Sequence, residues 1–436
     1  FAWRANNEPF IKNTNLFNEL KFRVGWGQTG NQAIRPYQTL ANYGPELVAG
    51  PGNTTSIGFV PLNIGNSDLK WEFTEQVNAG LDFDFNFLPI SGSFDIYNKT
   101  TEDLLQLSPL PPSAGFDSLF INRGGLENNG VELALLANIV DTPDFKFSIG
   151  GNIAFNRTKI TNLGIPNSDL FIDGSMQQRS FYLGNTISTG VYFKYPANIF
   201  VEGEESALFY GFETDGIYQE GDDFPIAGNQ PGDLKIIDQN GDGNIDDSDR
   251  TIIGNPNPDF TFGGTLNLSF KNWSLSALFS GVQGNDVING WAADVGGVEG
   301  TFINIFEKGY TNAWRSDAPS NSYPRLGYSN RTPINTNDAN ITNDPSVAMP
   351  DTFIEDGSFV RLKNITLGYD LPVKDFSSIF SRFNVYISAQ NLFTWTDYSG
   401  YDPEISSFLY DGTRTGIDWY GPPNVRMFTL GLNIDF

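Results

Sequence analysis

Val77-Asn78-Ala79-Gly80-Leu81-Asp82-Phe83-Asp84-Phe85-Asn86-Phe87 carries an apolar residue at every odd position and Gly or a polar residue at every even one. Successive side chains of a strand point to opposite faces, so the run predicts a strand with one greasy face and one wet face. The same split recurs upstream, where Leu20, Phe22, Val24 and Trp26 oppose Lys21, Arg23, Gly25 and Gly27. It recurs downstream in Phe145 to Phe155, Val131 to Ile139, Phe260 to Phe270, Trp273 to Ser280, Ile365 to Leu371, Phe383 to Gln390 and Phe428 to Phe436. Ten strands can be counted in this way, with four further candidates. The fold class is therefore all-β.

Alternation alone suits a soluble sandwich, whose apolar face is internal, as well as a barrel in lipid. Three features favour the transmembrane antiparallel β-barrel. The apolar faces are rich in Phe and Leu over about ten residues, the length that crosses a bilayer at a tilt, whereas soluble strands average about five or six. The connections are unequal: Phe87-Leu88-Pro89-Ile90-Ser91-Gly92 and Phe270-Lys271-Asn272-Trp273 read as tight turns, while residues 286–352 read as one long polar excursion. Short turns on one side and long loops on the other are the outer-membrane pattern. Finally, Phe428, Leu430, Leu432, Ile434 and the terminal Phe436 share one face, as the closing strand of such a barrel does. The alternative is a large soluble sandwich or propeller, but repeats of about 40 to 50 residues are not found. The Pro/Asn/Asp-rich tract from Asn312 to Pro350 reads as an extracellular loop rather than a domain boundary.

Composition narrows the chemistry. The 436 residues hold 26 Lys+Arg against 51 Asp+Glu, a net charge of −25, which makes nucleic acid an unfit partner because phosphate binding needs a basic face. With no His and no Cys, imidazole- and thiolate-based nucleophiles, their metal sites and disulfides are excluded. The 37 Phe, 17 Tyr and 8 Trp sit in no stretch approaching the roughly 20 apolar residues of a membrane helix. Carboxylates are numerous enough to place some pair at a glycosidase spacing by chance, and no constellation marks an acid and a nucleophile, so no enzyme activity is expected. The start at Phe1-Ala-Trp-Arg, without Met or signal peptide, reads as a mature fragment lacking its N-terminal part.

One local motif carries chemistry. Asp238-Gln239-Asn240-Gly241-Asp242-Gly243-Asn244-Ile245-Asp246-Asp247-Ser248-Asp249 places side-chain oxygens at loop positions 1, 3, 5, 9 and 12, Gly at 6, a carbonyl at 7 and an apolar anchor at 8. Ca²⁺ takes six to eight oxygens, and this spacing wraps them about one point. The expected metal ligands are Asp238, Asn240, Asp242, Asn244, Asp246 and Asp249, with calcium in a structural role. Position 12 carries Asp rather than Glu, which shortens the bidentate reach. A metal-free Asp/Asn/Gly turn is the alternative. Pro231-Gly232-Asp233-Leu234-Lys235-Ile236-Ile237 ahead of the loop reads as extended, not as an EF-hand helix. The aromatic run Phe393-Thr394-Trp395-Thr396-Asp397-Tyr398-Ser399-Gly400-Tyr401-Asp402 could stack on sugar faces, and so could Trp419-Tyr420. A membrane-interface belt is the plainer reading of both.

Several stretches, in order, resemble the SusC/RagA-type TonB-dependent outer-membrane transporters. They are Phe22-Arg23-Val24-Gly25-Trp26-Gly27-Gln28-Thr29-Gly30-Asn31-Gln32, Leu69-Lys70-Trp71-Glu72, Asp95-Ile96-Tyr97-Asn98-Lys99-Thr100-Thr101-Glu102-Asp103-Leu104-Leu105 and Asn128-Asn129-Gly130-Val131-Glu132-Leu133. Pro231-Gly232-Asp233, Phe359-Val360-Arg361-Leu362-Lys363-Asn364-Ile365-Thr366-Leu367-Gly368-Tyr369, Ala389-Gln390-Asn391-Leu392-Phe393-Thr394-Trp395-Thr396, Gly400-Tyr401-Asp402-Pro403-Glu404 and the final strand complete the set. The resemblance implies a 22-stranded barrel in the Gram-negative outer membrane, with residues 1–436 as its C-terminal part and the plug, the TonB-contacting segment and the first strands having no counterpart. A barrel missing strands would leave open edges in lipid, so the chain is expected to be one portion of a complete barrel. The resemblance further implies a SusD-like surface lipoprotein, the TonB complex and outer-membrane lipid as partners, with an oligosaccharide (glycan) or peptide substrate taken up as nutrient. The acidic balance suits a neutral or cationic cargo. A structural barrel that anchors surface proteins is the alternative from another class.

Overall fold

The computed structural model describes residues 1–436 apart from 33–36, 51, 53, 117, 188–195, 225–229, 296–306, 326–348, 373–380, 405–406 and 436. Eleven strands form one antiparallel sheet whose spatial order follows the chain. They are β1 (Ala2–Arg4), β2 (Phe17–Asn31), β3 (Glu72–Phe85), β4 (Ile90–Glu102), β5 (Gly125–Asp141) and β6 (Phe145–Asn162), followed by β7 (Phe260–Phe270), β8 (Trp273–Gln283), β9 (Phe359–Leu371), β10 (Arg382–Thr396) and β11 (Met427–Asp435). The sheet is open, with β1 and β11 at its edges. No helix among the described residues is long and apolar enough to cross a membrane.

Register converts the alternation into two continuous surfaces. Phe22 pairs with Leu81, Leu81 with Phe94, Phe94 with Leu133, Leu133 with Ile153 and Ile153 with Phe262. Nearer the other end of the strands, Leu268, Leu275, Leu367, Ile387 and Leu430 pair in succession across β7 to β11. A slip by one residue would break this band, which is why the register is strongly specified. The band is exposed: Trp26 is 67 %, Ile387 51 % and Leu430 76 % accessible. A water-facing surface rarely keeps an apolar patch beyond a few hundred Å², so this face belongs against lipid. Aromatic residues edge the band at both ends. Phe17 meets Phe85 at 5.2 Å and Trp273 meets Tyr369 at 4.6 Å at one end, while Phe155 meets Phe260 at 5.4 Å at the other.

The connections sort by end. Residues 86–89, 142–144 and 271–272 close β3–β4, β5–β6 and β7–β8 at one end, and Lys271 takes φ +52 in the shortest turn. At the opposite end lie the described residues of 32–71, 103–124, 163–259, 284–358 and 397–426. Ile90-Ser91-Gly92, expected in the first tight turn, are the start of β4. Residues 286–352 do form a long excursion, but it is not the longest; residues 163–259 form a larger one, built from short, mutually paired strands. The tract from Asn312 to Pro350 sits at the long-loop end where it is described, and residues 326–348 and the terminal Phe436 lie outside the described residues.

These excursions, not the wall, contain the buried core. A four-stranded sheet of Phe181–Leu183, Asn198–Val201, Leu208–Phe212 and Arg250–Gly254 buries Ile199, Val201 and Phe209 completely. A three-stranded sheet of Ile354–Asp356, Asp286–Asn289 and Ile417–Asp418 packs Ile288 and Ile417 against Phe209, Met349 and Phe353. The long-loop end thus carries a folded cap on a wall that buries little of its own.

Candidate functional site

The wet face of the wall divides into a charged and a neutral zone. On β2 to β4, Arg23 donates Nε to Asp82 at 2.9 Å and Nη2 to Asp82 at 2.8 Å, and it reaches Asp95 at 2.9 Å; Lys21 meets Asp82 at 3.2 Å. Gly80 lies between Arg23 and Asp95, and a Cβ there would come within 2.3 Å of Asp95 Oδ1 and 2.7 Å of Arg23 Nη2. A bare α-carbon lets the guanidinium cross β3 directly. Gly80→Val should push Arg23 and Asp95 aside and weaken this three-strand ion pair, at about 1 kcal/mol because both side-chain tips can move. The expected result is less heat-modifiable, folded barrel on gels of outer-membrane fractions; unchanged yield would refute the crossing argument.

The family-like stretches meet in space, which accounts for their residue types. Tyr97 lies over Gly130, whose Cβ would sit 2.1 Å from the ring, and its hydroxyl donates to Asn156 Oδ1 at 3.1 Å. Asn98 next to it donates to Asn129 and Glu127, both at 2.6 Å. Trp71 covers Gly30 in the same manner. Toward β11 one row of the wet face is neutral, with Ser148, Asn267, Ser276, Thr366, Ser388 and Thr429 paired in sequence across six strands, while nearer the short turns Arg382 pairs with Asp370 at 3.0 Å. Hydroxyl and amide groups of this kind hydrate a polar solute without holding it by charge.

Where wall meets cap, Arg361 at the head of β9 is 2 % exposed. It donates Nη1 to Glu404 at 2.7 Å and Nε to Thr394 at 3.0 Å, and it pairs with Asp402. Asp402 also accepts the N–H of Glu404 and of Asn424, each at 3.0 Å. The Arg361 stretch and the Gly400–Glu404 stretch are thus two halves of one buried ion cluster. Pro231-Gly232-Asp233 is likewise a docking element: Gly232 takes φ +94 against Trp314 and Arg325, and Arg325 donates to Asp233 at 2.6 Å.

The aromatic run divides by function. Phe393 and Trp395, half exposed on the apolar side of β10, belong to the wall's aromatic edge, as the belt reading expects. Tyr398 is buried in the cap and donates to Asp418 at 2.8 Å. Burial, with the charges of Asp418, Glu355 and Asp402, pushes the Tyr398 phenol up, so it stays a neutral donor. Tyr401 instead opens into a cavity of about 710 Å³ lined by Asn289, Trp291, Tyr323, Phe353, Glu355 and Ser399. Its ring meets the edge of Trp291 at 5.2 Å, and Trp291 meets Tyr420 at 4.5 Å. Trp419-Tyr420 therefore support this cavity and take no part in the wall's belt.

The six expected calcium ligands occupy one turn. Asp238 accepts the N–H groups of Gly241 and Gly243 at 2.8 Å, Asn240 that of Asp242 at 2.9 Å, and Asp242 that of Asn244 at 2.8 Å. Asp246 accepts from Ser248 and, with Asp249, forms a reciprocal capping box around Asp247–Asp249. Burial pushes the Asp249 carboxyl up against the N–H bonds that lower it; at Asp242 the Asn244 N–H leads the lowering. The donors are all oxygen, as calcium requires, and Gly241 and Gly243 take φ +74 and +82. Their oxygens are turned to backbone N–H groups, and among the described residues no three carboxylates are gathered as a metal-holding group. The turn is closed by its own hydrogen bonds, and no helix flanks it beyond the short 3₁₀ turn.

Comparison with known proteins follows the same lines. Residues 3–392 match the family model described as TonB dependent receptor-like, beta-barrel. The chain is 34 % identical to TonB-dependent receptor P3 of Formosa agariphila, over all of its length and 41 % of that protein. It is 31 % identical to TonB-dependent receptor SusC of Bacteroides thetaiotaomicron, over 39 % of that protein. It superposes over its whole length on 43 % of a chain in the structure of the RagAB peptide transporter, with a TM-score of 0.75 and 25 % identity. The chain thus spans about two fifths of the relatives it matches, and these are named as receptors and transporters rather than enzymes. With its outward apolar band, wet inner face and one-sided loops, the chain belongs to the TonB-dependent receptor β-barrels of the outer membrane, in the SusC/RagA-type group.

Proposed function

We propose that this chain forms the C-terminal wall and cell-surface cap of an active importer. In this reading a SusD-like lipoprotein docks on the cap, delivers an oligosaccharide or peptide, and the TonB complex supplies energy from the inner membrane by displacing a plug. The supporting observation is the neutral hydroxyl and amide strip on the wet face beneath a folded cap with an aromatic cavity. It offers passage and recognition. Deleting the gene should abolish uptake of a fluorescent neutral oligosaccharide or peptide by whole cells, and a protonophore should reproduce the loss. Uptake that persists in the deletion strain would refute the reading.

The loop at 238–249 is proposed to take calcium as a structural staple, through Asp238, Asn240, Asp242, Asn244, Asp246 and Asp249, once side chains now turned to backbone N–H groups rotate to the ion. Full-length protein dialysed against a chelator and re-exposed to Ca²⁺ should regain calcium that Asp242→Ala does not. Equal metal content in wild type and variant would reject this assignment.

A further inference from the structure

Resting on the import reading, we propose that the cavity under Tyr401 is a sugar-binding subsite, with the Tyr401 ring as the stacking platform for a pyranose and the polar groups beside it as partners for its hydroxyls. The platform is exposed and braced on one side. Tyr401 is 64 % accessible, and its ring stands perpendicular to that of Trp291, at an interplanar angle of 87°. Trp291 in turn meets Tyr420, a non-glycine residue held at φ +60, a backbone state that persists only where surroundings impose it. A ring braced before ligand arrives loses less entropy on binding than a free one.

Hydrogen-bonding groups flank that ring. Glu355 Oε1 accepts from Asn289 Nδ2 and Ser399 Oγ, both at 2.8 Å, and Oε2 accepts the Ser399 N–H at 2.7 Å. Oε1 is filled by its two donors and Oε2 has one lone-pair site left, so Glu355 can receive one hydroxyl proton while remaining oriented. A mainly apolar cavity of a few hundred Å³ with a small set of placed polar groups is the general form of a small-ligand site. A peptide would most economically add to a free strand edge, yet in the sheet beside the cavity Asp286–Asn289 is paired on both sides and the edge strands Ile354–Asp356 and Ile417–Asp418 have only three and two residues, a short ladder for an added strand. A saccharide needs no strand edge.

The test is calorimetric titration of the full-length protein, purified with any lipoprotein it carries, using neutral α-1,4-glucan, β-1,4-glucan and β-1,4-xylan hexasaccharides and a neutral octapeptide. At least one hexasaccharide should bind. Tyr401→Ala should weaken it roughly tenfold or more, and Tyr401→Phe, which keeps the ring, less than about threefold. Tyr410→Ala, at an exposed loop tip outside the cavity, should bind as wild type does. Tyr401→Ala binding as tightly as wild type would overturn the platform role. Binding of the octapeptide alone would overturn the sugar class but leave import standing, and binding of no probe would count against both.

Discussion

Arg361→Met is expected to cost the cap about 3–5 kcal/mol, because it leaves the buried carboxylate of Asp402 without its cation, while the more exposed Glu404 keeps Lys363 at 2.7 Å. Asp402 is 4 % exposed and Arg361 2 %, so water cannot replace the lost partner. Arg361→Lys should not restore it, since an ammonium cannot reach Thr394, Glu404 and Asp402 together from one planar fork. The readout is limited trypsin cleavage in residues 397–426 of the membrane-embedded protein, fast in both variants and slow in wild type. Equal protection would show that the cluster is not what ties cap to wall.

A pH dependence follows from the same cluster. Burial alone would raise the Asp402 carboxyl, but the Glu404 N–H, the Arg361 guanidinium and the Asn424 N–H outweigh it and hold the group below the usual range. A carboxyl depressed in the folded state binds fewer protons folded than unfolded. Its contribution is therefore complete above the ordinary carboxylate value of about 4 and is lost as pH falls through the depressed value. Protection of residues 397–426, read here by the acid protease pepsin, should decline on acidification below about pH 4 in wild type, with a shallower slope in Arg361→Met.

Gly211→Ala is the second large effect. Gly211 lies in the strand Leu208–Phe212, and a Cβ there would be 1.9 Å from the backbone oxygen of Met349. Backbone cannot rotate aside as the tip of a side chain can. The same carbonyl accepts the N–H of Phe212 at 2.9 Å, and residues 349–353 lead directly to Phe353 on the cavity wall. A loss of about 3 kcal/mol is expected, at the upper end for overpacking. Hydrogen exchange of full-length protein in detergent should show faster exchange in residues 208–212 and 349–356 with the wall unaffected. Exchange rates matching wild type would mean that the two segments are not held as described.

The wall was largely legible in the residues, and the cap was not. Phe260–Phe270 has the bounds its alternation predicts, because Phe marks both ends and Gly264 is the one break among its apolar positions. Leu20–Gly27 was read short of the observed Phe17–Asn31, since Gln28, Thr29, Gly30 and Asn31 at the loop end lose the alternation while keeping the ladder with β3. Residues 163–259 hid their structure for another reason. Their strands have three to five residues, and some partners are distant, as with Phe209 and Gly254, so no local period marks them. The aromatic run at 393–402 has uniform composition but divides between wall and cavity at Tyr398, because β10 ends at Thr396. Composition cannot show where a strand stops. The oxygen-rich loop was legible as a turn, whereas its donors' engagement with local N–H groups is visible only in three dimensions.

Cysteine-scanning spin-label accessibility tests the central claim most directly, because these 436 residues hold no native Cys, and any Cys elsewhere in the full-length protein is first replaced by Ser. Labels would be placed one at a time along β4 and β5 of the full-length protein in liposomes, at Phe94, Asp95, Ile96, Val131, Glu132 and Leu133. Phe94, Ile96, Val131 and Leu133 should be reached by oxygen and shielded from an aqueous nickel chelate, with the opposite order at Asp95 and Glu132. Loss of that period-two alternation, or aqueous access on both faces, would contradict a lipid-facing wall and with it the importer.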